Sequence, residues 1–250
     1  MLQLIINADD LGLTPGCNAG IIKAMTQGIV SDTTLMVNTA FTADAVTRLK
    51  SHRISRVGLH LNLTFGRPIL PAAAVPSLVD GSGFFRRGVD YAVPLMDLAE
   101  AERELSAQVE TFLGTGIGLT HLDSHHHVHS YPKIFAIVMD LAGKLDVPVR
   151  QTGETVRQSL LDVGVATTDH IALDFYSHDA TIENLKAIIL RHSHGTMEIM
   201  CHPAEPDPLL YETSSYHSWR EKELAILTSQ EMIAFIKEQK IRLAGFDMLR

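Results

Sequence analysis

The chain has 250 residues, 46% apolar and 20% charged, enough apolar side chain for a sizeable core and too little charge for a disordered chain. Its 21 basic against 29 acidic residues give a formal net charge of -8. That disfavours nucleic acid as the main partner and suits a soluble protein with a neutral or cationic small substrate. Cys17 and Cys201 are far apart and outside any CxxC pattern, so they read as buried thiols in a reducing compartment. The N-terminus Met1 to Asp10 has no basic region, and no apolar stretch reaches the ~20 residues of a membrane helix. A single cytoplasmic domain over residues 1–250 is the expectation, at a length common for one α/β barrel.

In chain order, Leu2–Ala8 is a nearly continuous apolar run, as expected of a strand buried on both faces, and it ends in Asp9-Asp10 before Gly12, Pro15 and Gly16. Asn18–Gln27 reads as a helix, Thr33–Val37 as a strand, and Thr42–Lys50 as a helix with Thr42 at its N-cap. Arg56–Leu63 is a third strand carrying His60. Residues 64–94 break this rhythm. Pro68, Pro71 and Pro76 and Asp80-Gly81-Ser82-Gly83 argue against a regular helix there, so the segment is either a wall of a binding site or a surface insertion.

Leu95–Leu113 reads as an amphipathic helix with Leu98, Leu105, Val109 and Phe112 inward, followed by a strand over 117–123, a helix over Tyr131–Lys144 and a short strand ending at Arg150. Beyond it come a strand within Asp169–Phe175, a helix over Thr181–Arg191 capped by Thr181, and a strand over Gly195–Met200. Residues 203–217 look like a second loop over the site. Ser218–Leu227 and Ser229–Gln239 read as helices and Ile241–Phe246 as a last strand. Strand–helix alternation of this kind indicates βαβ units and a parallel sheet.

Five of the thirteen histidines fall within Thr120–His129, with Asp123 among them. Imidazole and carboxylate suit a divalent ion or acid–base work. If the strand continued through this run, Asp123, His125 and His127 would share one face and His126 would point away. Asp9-Asp10, His60, Asp123 with His125, Arg150 and His202 all sit at or just past strand ends. In a parallel barrel those ends converge on the face where active sites lie. Taken singly, each has a plainer reading: Asp-Asp as turn chemistry, His60 as a core residue, His202 as a strand terminator. No nucleophile elbow, phosphate loop or dinucleotide fingerprint is present.

Four ordered motifs, Asn7–Leu13, Gly58–Thr64, Thr120–His129 and Met200–Glu205, resemble the YdjC-like carbohydrate deacetylases, which include the chito-oligosaccharide deacetylases. The resemblance spans essentially the whole chain; Leu11 stands where the family often has Phe. It implies an α/β fold, a single irregular (β/α) barrel, TIM-like or seven-stranded, that removes N-acetyl groups from amino sugars and releases acetate. Position by position it implies Asp10, His60 and His125 as ligands of one divalent ion, Mg2+ or Zn2+. It implies Asp9 as general base and His202 as the acid for the leaving amine. Asp123, His127 and Arg150 would stand behind these groups or touch substrate. The expected partner is an acetylated amino sugar or short oligosaccharide such as N,N'-diacetylchitobiose, with no nucleic acid and no membrane; a homodimer is allowed for. A metal-dependent phosphoesterase and a non-catalytic sugar-binding relative are the rival readings.

Overall fold

The computed structural model describes residues 1–249. Strands β1 (Leu2–Leu11), β2 (Asp32–Leu35), β3 (Val57–Leu61), β4 (Leu119–Ser124), β5 (His170–Ala172), β6 (Gly195–Cys201) and β7 (Arg242–Leu243) form one seven-stranded parallel sheet. Its order is β4-β3-β2-β1-β6-β5, with β7 beside the start of β1 at Gln3 and Leu4. β1 is buried along almost its whole length, as a strand covered on both faces must be. The helices are α1 (Pro15–Gln27), α2 (Thr42–Ser51), α3 (Val89–Leu95), α4 (Leu98–Gly114), α5 (Pro132–Leu145), α6 (Glu154–Asp162), α7 (Ile182–Ile189), α8 (Pro208–Thr213), α9 (Ser218–Leu227) and α10 (Gln230–Glu238). No described helix is long and apolar enough to cross a membrane.

The sheet is curled. Beyond β4, Val149 pairs with Leu122, and the Val149 amide bonds to the Ala166 carbonyl at 3.0 Å, carrying backbone pairing further round. More telling, the Arg150 side chain bonds to Asp9 on β1, Asp123 on β4 and Glu198 on β6. β4 and β6 are separated by three strands in the sheet, so they meet one guanidinium only if the sheet wraps around it. The α/β barrel-like architecture expected from the strand–helix alternation is the one observed. One apolar cluster runs from Leu2 to Ile236 between sheet and helices, and both cysteines are buried and free.

Several boundaries differ from the sequence reading. The 64–94 stretch is not without helix: α3 forms in it, with Pro94 inside its last turn, where the chain bends on into α4. α4 starts at Leu98, after Asp97 caps it by accepting from the Glu100 amide, and Leu98 is exposed instead of inward. Its buried face carries two polar groups as well, Glu104 and Gln108. The cap of α2 is Phe41, because the Thr42 hydroxyl is turned to the Met36 carbonyl. The segment 148–150 makes one bridge and no full strand. α6 and α8 were not expected; α8 starts on Pro208, behind a capping Asp207.

Gly58 on β3 gives a test of the packing. A Cβ there would lie 2.6 Å from the His121 ring, which is itself stacked on Phe246 at 3.8 Å. The ring has no room to retreat, so Gly58→Ala should cost about 1–3 kcal/mol of stability by overpacking. Denaturant unfolding measures it, and a midpoint equal to wild type would show that the ring moves aside freely.

Candidate active site

β1 carries Asp9 and then turns at Asp10, whose φ is +69°. Alternation along a straight strand would send two neighbouring carboxylates to opposite faces. The left-handed Asp10, followed by Gly12 at φ +98°, lets both line one cavity. Gly12 is required there, since a Cβ would stand 2.7 Å from the Met36 carbonyl.

The histidine run does not continue β4. The strand stops at Ser124, and His125–Ser130 forms tight 3-10 turns with His126 and His127 both at φ +54°. Face alternation therefore fails as a guide. His126, expected to point away, lines the cavity beside His125 and His127, with its Nδ1 3.1 Å from the Thr64 hydroxyl. His129 leaves the site: it is fully buried, with Nε2 on the Arg150 carbonyl at 3.1 Å and Nδ1 on Ser124 Oγ.

Asp10, His60 and His125 meet at one point. Asp10 Oδ1 lies 3.3 Å from His60 Nε2 and 3.1 Å from His125 Nδ1. The other ring nitrogen of His60 bonds to Asp123 Oδ1 at 2.8 Å, and Asp123 Oδ2 accepts from the Thr34 hydroxyl at 3.0 Å. Arg150, fully buried, donates to both oxygens of Asp9, at 2.6 and 2.7 Å, and lies 2.8 Å from Asp123. Arg220 on α9 holds the far oxygen of Asp10, Oδ2, at 2.6 Å. Drawn from β1, β2, β3, β4, the turns after β4, the segment 148–150 and α9, these groups form one connected network.

The electrostatics follow from the partners. Burial would raise Asp10, but Arg220 and His125 outweigh it and hold the carboxyl well below its usual range. Asp9 is likewise lowered, against its burial, chiefly by Arg150. Burial would lower His60, yet Asp123 and Asp10 drive it up to about 10. His202 is pushed down to about 3 by burial and Arg220, and His127 to about 4 by burial and Arg150. Glu198 and Glu223 are each raised to about 7 by burial.

The cavity has a volume of about 660 Å³ and opens at the C-terminal ends of the strands. Phe65, Tyr176 and Tyr216 add aromatic surface to its polar floor. Glu104 and Gln108 on α4 hold the loop after β3 in place: Glu104 accepts from the Ile69 and Leu70 amides, and Gln108 bonds both the amide and the carbonyl of Asn62.

The sequence matches the family described as YdjC-like protein over residues 3–238. A protein named carbohydrate deacetylase from Brevibacillus brevis is 42% identical over 99% of this chain and 100% of its own length. The chain belongs to the YdjC-like family. A carbohydrate deacetylase from Thermoanaerobacter pseudethanolicus is 34% identical, over the full length of both chains. A crystal structure from Enterococcus faecalis, described as a proposed cellobiose-phosphate cleavage protein, superposes with a TM-score of 0.93 at 35% identity, covering 99% of this chain and 98% of that one.

This YdjC-like chain has a donor set that fits a divalent ion. The ligand atoms of Asp10, His60 and His125 all lie within 4.8 Å of one another. His60 has its second nitrogen on a carboxylate, the arrangement that fixes ring orientation and raises ligand basicity. In the ion-free network the Asp10 carboxylate faces the two imidazoles of His60 and His125, and an ion would take the place that the His60 proton holds there. A second trio, Asp9, His60 and Asp123, also meets the distance condition, but Arg150 already occupies both of its carboxylates.

Sequence reasoning brought Asp9, Asp10, His60, Asp123, His125, His127, Arg150 and His202 forward, and the fold gathers all of them at the same end of the sheet. It missed Thr34, Glu198, Arg220, Glu223 and the two tyrosines. Glu198 had a signal, a lone charge inside the apolar run Gly195–Cys201. Arg220 had none: α9 is a short helix with charges on every side.

Two outcomes follow for ion binding. Asp123→Asn should weaken ion affinity about 10–100-fold, as loss of a ligand's carboxylate partner typically does; an unchanged dissociation constant would remove Asp123 from that role. In the ion-free protein His60 carries a proton up to about pH 10, well above the unfolded value, and an ion must displace it. Affinity should therefore rise between about pH 7 and 9, nearly tenfold per unit for one proton released. Calorimetry in buffers of different ionisation enthalpy counts that proton.

Proposed function

We propose that this chain is a cytoplasmic, metal-dependent hydrolase that acts as one domain over residues 1–250. It removes N-acetyl groups from amino sugars and releases acetate, with N,N'-diacetylchitobiose or a similar short oligosaccharide as substrate. The enzyme class follows from membership in a family whose full-length relatives are named carbohydrate deacetylases. The observation that carries the chemistry is Asp10, His60 and His125 converging beside a clamped, ionised Asp9 in an open cavity.

An ion held by Asp10, His60 and His125, magnesium or zinc, supplies Lewis-acid polarisation and acidifies water. Asp9, kept ionised by Arg150, takes a proton from the water that attacks the acetyl carbonyl. The water oxygen ends in acetate, the C–N bond breaks, and the nitrogen departs with a proton delivered through His202. His202 rests neutral, so its part is that of a relay, accepting at one nitrogen as it donates from the other. The proton it accepts is the one Asp9 took from the attacking water, so Asp9 ends ionised, His202 ends neutral and the step balances. His127, on the same cavity wall, has a buried Nδ1 with no partner among the described residues and is the reserve base.

The phosphoesterase reading is weaker here. A two-metal site needs further ligands, and among the described residues none of His126, His127 and His129 joins a metal-compatible group. Acetate release from N,N'-diacetylchitobiose with and without chelator, beside phosphate release from sugar phosphates, separates the readings. Loss of acetate release on chelation and its return with added ion is the expected result. No acetate from any acetylated amino sugar by ion-loaded protein would sink the proposal.

The paired aspartates divide the work. Asp10→Asn should weaken ion binding, and His60→Ala or His125→Ala should abolish ion retention and turnover. Asp9→Asn should keep the ion and lose about 10²–10⁴-fold in turnover, the usual effect of removing a general base. Metal analysis alongside steady-state rates distinguishes the two, and a near-normal rate for Asp9→Asn would transfer the base role to His127.

A further inference from the structure

Part of the cavity lining is a built aromatic surface. Tyr176, on the loop after β5, and Tyr216, just ahead of α9, stack face to face with centroids 4.1 Å apart and planes 8° from parallel. His202 meets both rings edge-on, at 5.7 and 5.6 Å. Tyr216 is fixed from behind. Its hydroxyl donates to Glu223 and accepts from the Ser177 amide at 2.9 Å, and its carbonyl accepts from Arg220 Nε at 2.7 Å. Tyr176 differs. It is 41% exposed, and its hydroxyl makes no hydrogen bond within the described residues. Ser177 at φ +56° turns the chain immediately after it.

One ring is thus anchored and buried, and it backs a second ring whose outer face is open at the cavity mouth. A flat apolar face of this kind, held rigid by only two side-chain torsions, matches the C–H face of a pyranose, whose hydroxyls project from its rim. Among the described residues, the ring contacts of Tyr176 are those with Tyr216 and His202. It also stands one ring's breadth from His202, the group that faces the departing nitrogen.

We propose that Tyr176, backed by Tyr216, is a stacking platform for the sugar ring next to the one being deacetylated, and that it sets a preference for oligosaccharides over a free N-acetylated monosaccharide. The proposal rests on the deacetylase reading and adds a subsite to it. Stacking accounts for the recognition, so the ring matters and the hydroxyl does not.

The test compares kcat/KM for acetate release from N-acetylglucosamine and N,N'-diacetylchitobiose in wild type, Tyr176→Ala and Tyr176→Phe. The ratio of disaccharide to monosaccharide should fall about three- to tenfold in Tyr176→Ala, the size expected of one aromatic stacking contact, and recover in Tyr176→Phe. Calorimetric binding of chitobiose, the deacetylated disaccharide, should weaken in parallel. An unchanged ratio, equal losses on both sugars, or a Phe variant as impaired as Ala would overturn the platform. Ion-loaded wild type that releases acetate from neither these nor any other acetylated amino sugar would overturn the deacetylase reading instead. In that case chitobiose binding still judges Tyr176: weaker binding to the Ala variant supports the platform and equal binding rejects it.

Discussion

The C-terminal end of this sheet depends on one buried cation. Arg150 has no exposed surface, and its guanidinium is shared among Asp9, Asp123 and Glu198 from three different strands. Taking such a group out of water costs several kcal/mol, and only good geometry to several anions offsets it. The geometry exists because the sheet curls. Without the guanidinium, three carboxylates would be buried within reach of one another, and the strands carrying them could not close on a common interior. The same bonds set the chemistry. Asp9 is kept ionised, and Asp123 is held where it orients His60. A structural ion cluster and a candidate active site are here one object.

α9 supplies a second layer of the same kind. Arg220 and Glu223, three residues apart and so on one face of the helix, reach different strand ends. Arg220 holds Asp10 at the end of β1, and Glu223 accepts from the His202 backbone amide beyond β6 and from the Tyr216 hydroxyl. A rigid turn of helix thereby ties a candidate metal ligand, the candidate proton relay and an aromatic wall to each other. The tie runs through charge-assisted bonds, which are shorter and more directional than neutral ones.

How much of this was legible in the sequence varies with the physical cause. The strands were legible because β1, β3 and β6 are apolar runs bounded by turn residues. The site was legible because polar residues in such runs stand out at strand ends. The histidine run misled for a definite reason. Alternation holds only while the backbone is extended, and two consecutive left-handed residues, His126 and His127, cancel it. Neither is Gly, so no sequence signal marked the turn. α3, with Pro94 inside it, and α6, with a weak apolar stripe, hid for lack of periodicity. Arg220 was invisible because its role is set by a contact 210 positions away in the chain.

The last distinction the sequence left open is between neighbours. Asp9 and Asp10 are chemically identical, both buried, both facing one cavity. What separates them is the number of oxygens each gives to a guanidinium. Arg150 takes both oxygens of Asp9, in the fork geometry that arginine and carboxylate favour. Arg220 takes only Oδ2 of Asp10, which leaves Oδ1 facing His60 Nε2 and His125 Nδ1. A carboxylate with one oxygen tied and one aimed at two imidazoles is shaped as a single-oxygen ligand. A carboxylate gripped at both oxygens is held in place as an anion beside it. The positive φ at Asp10 makes this division available, and the two arginines, both from the second half of the chain, decide which residue takes which part.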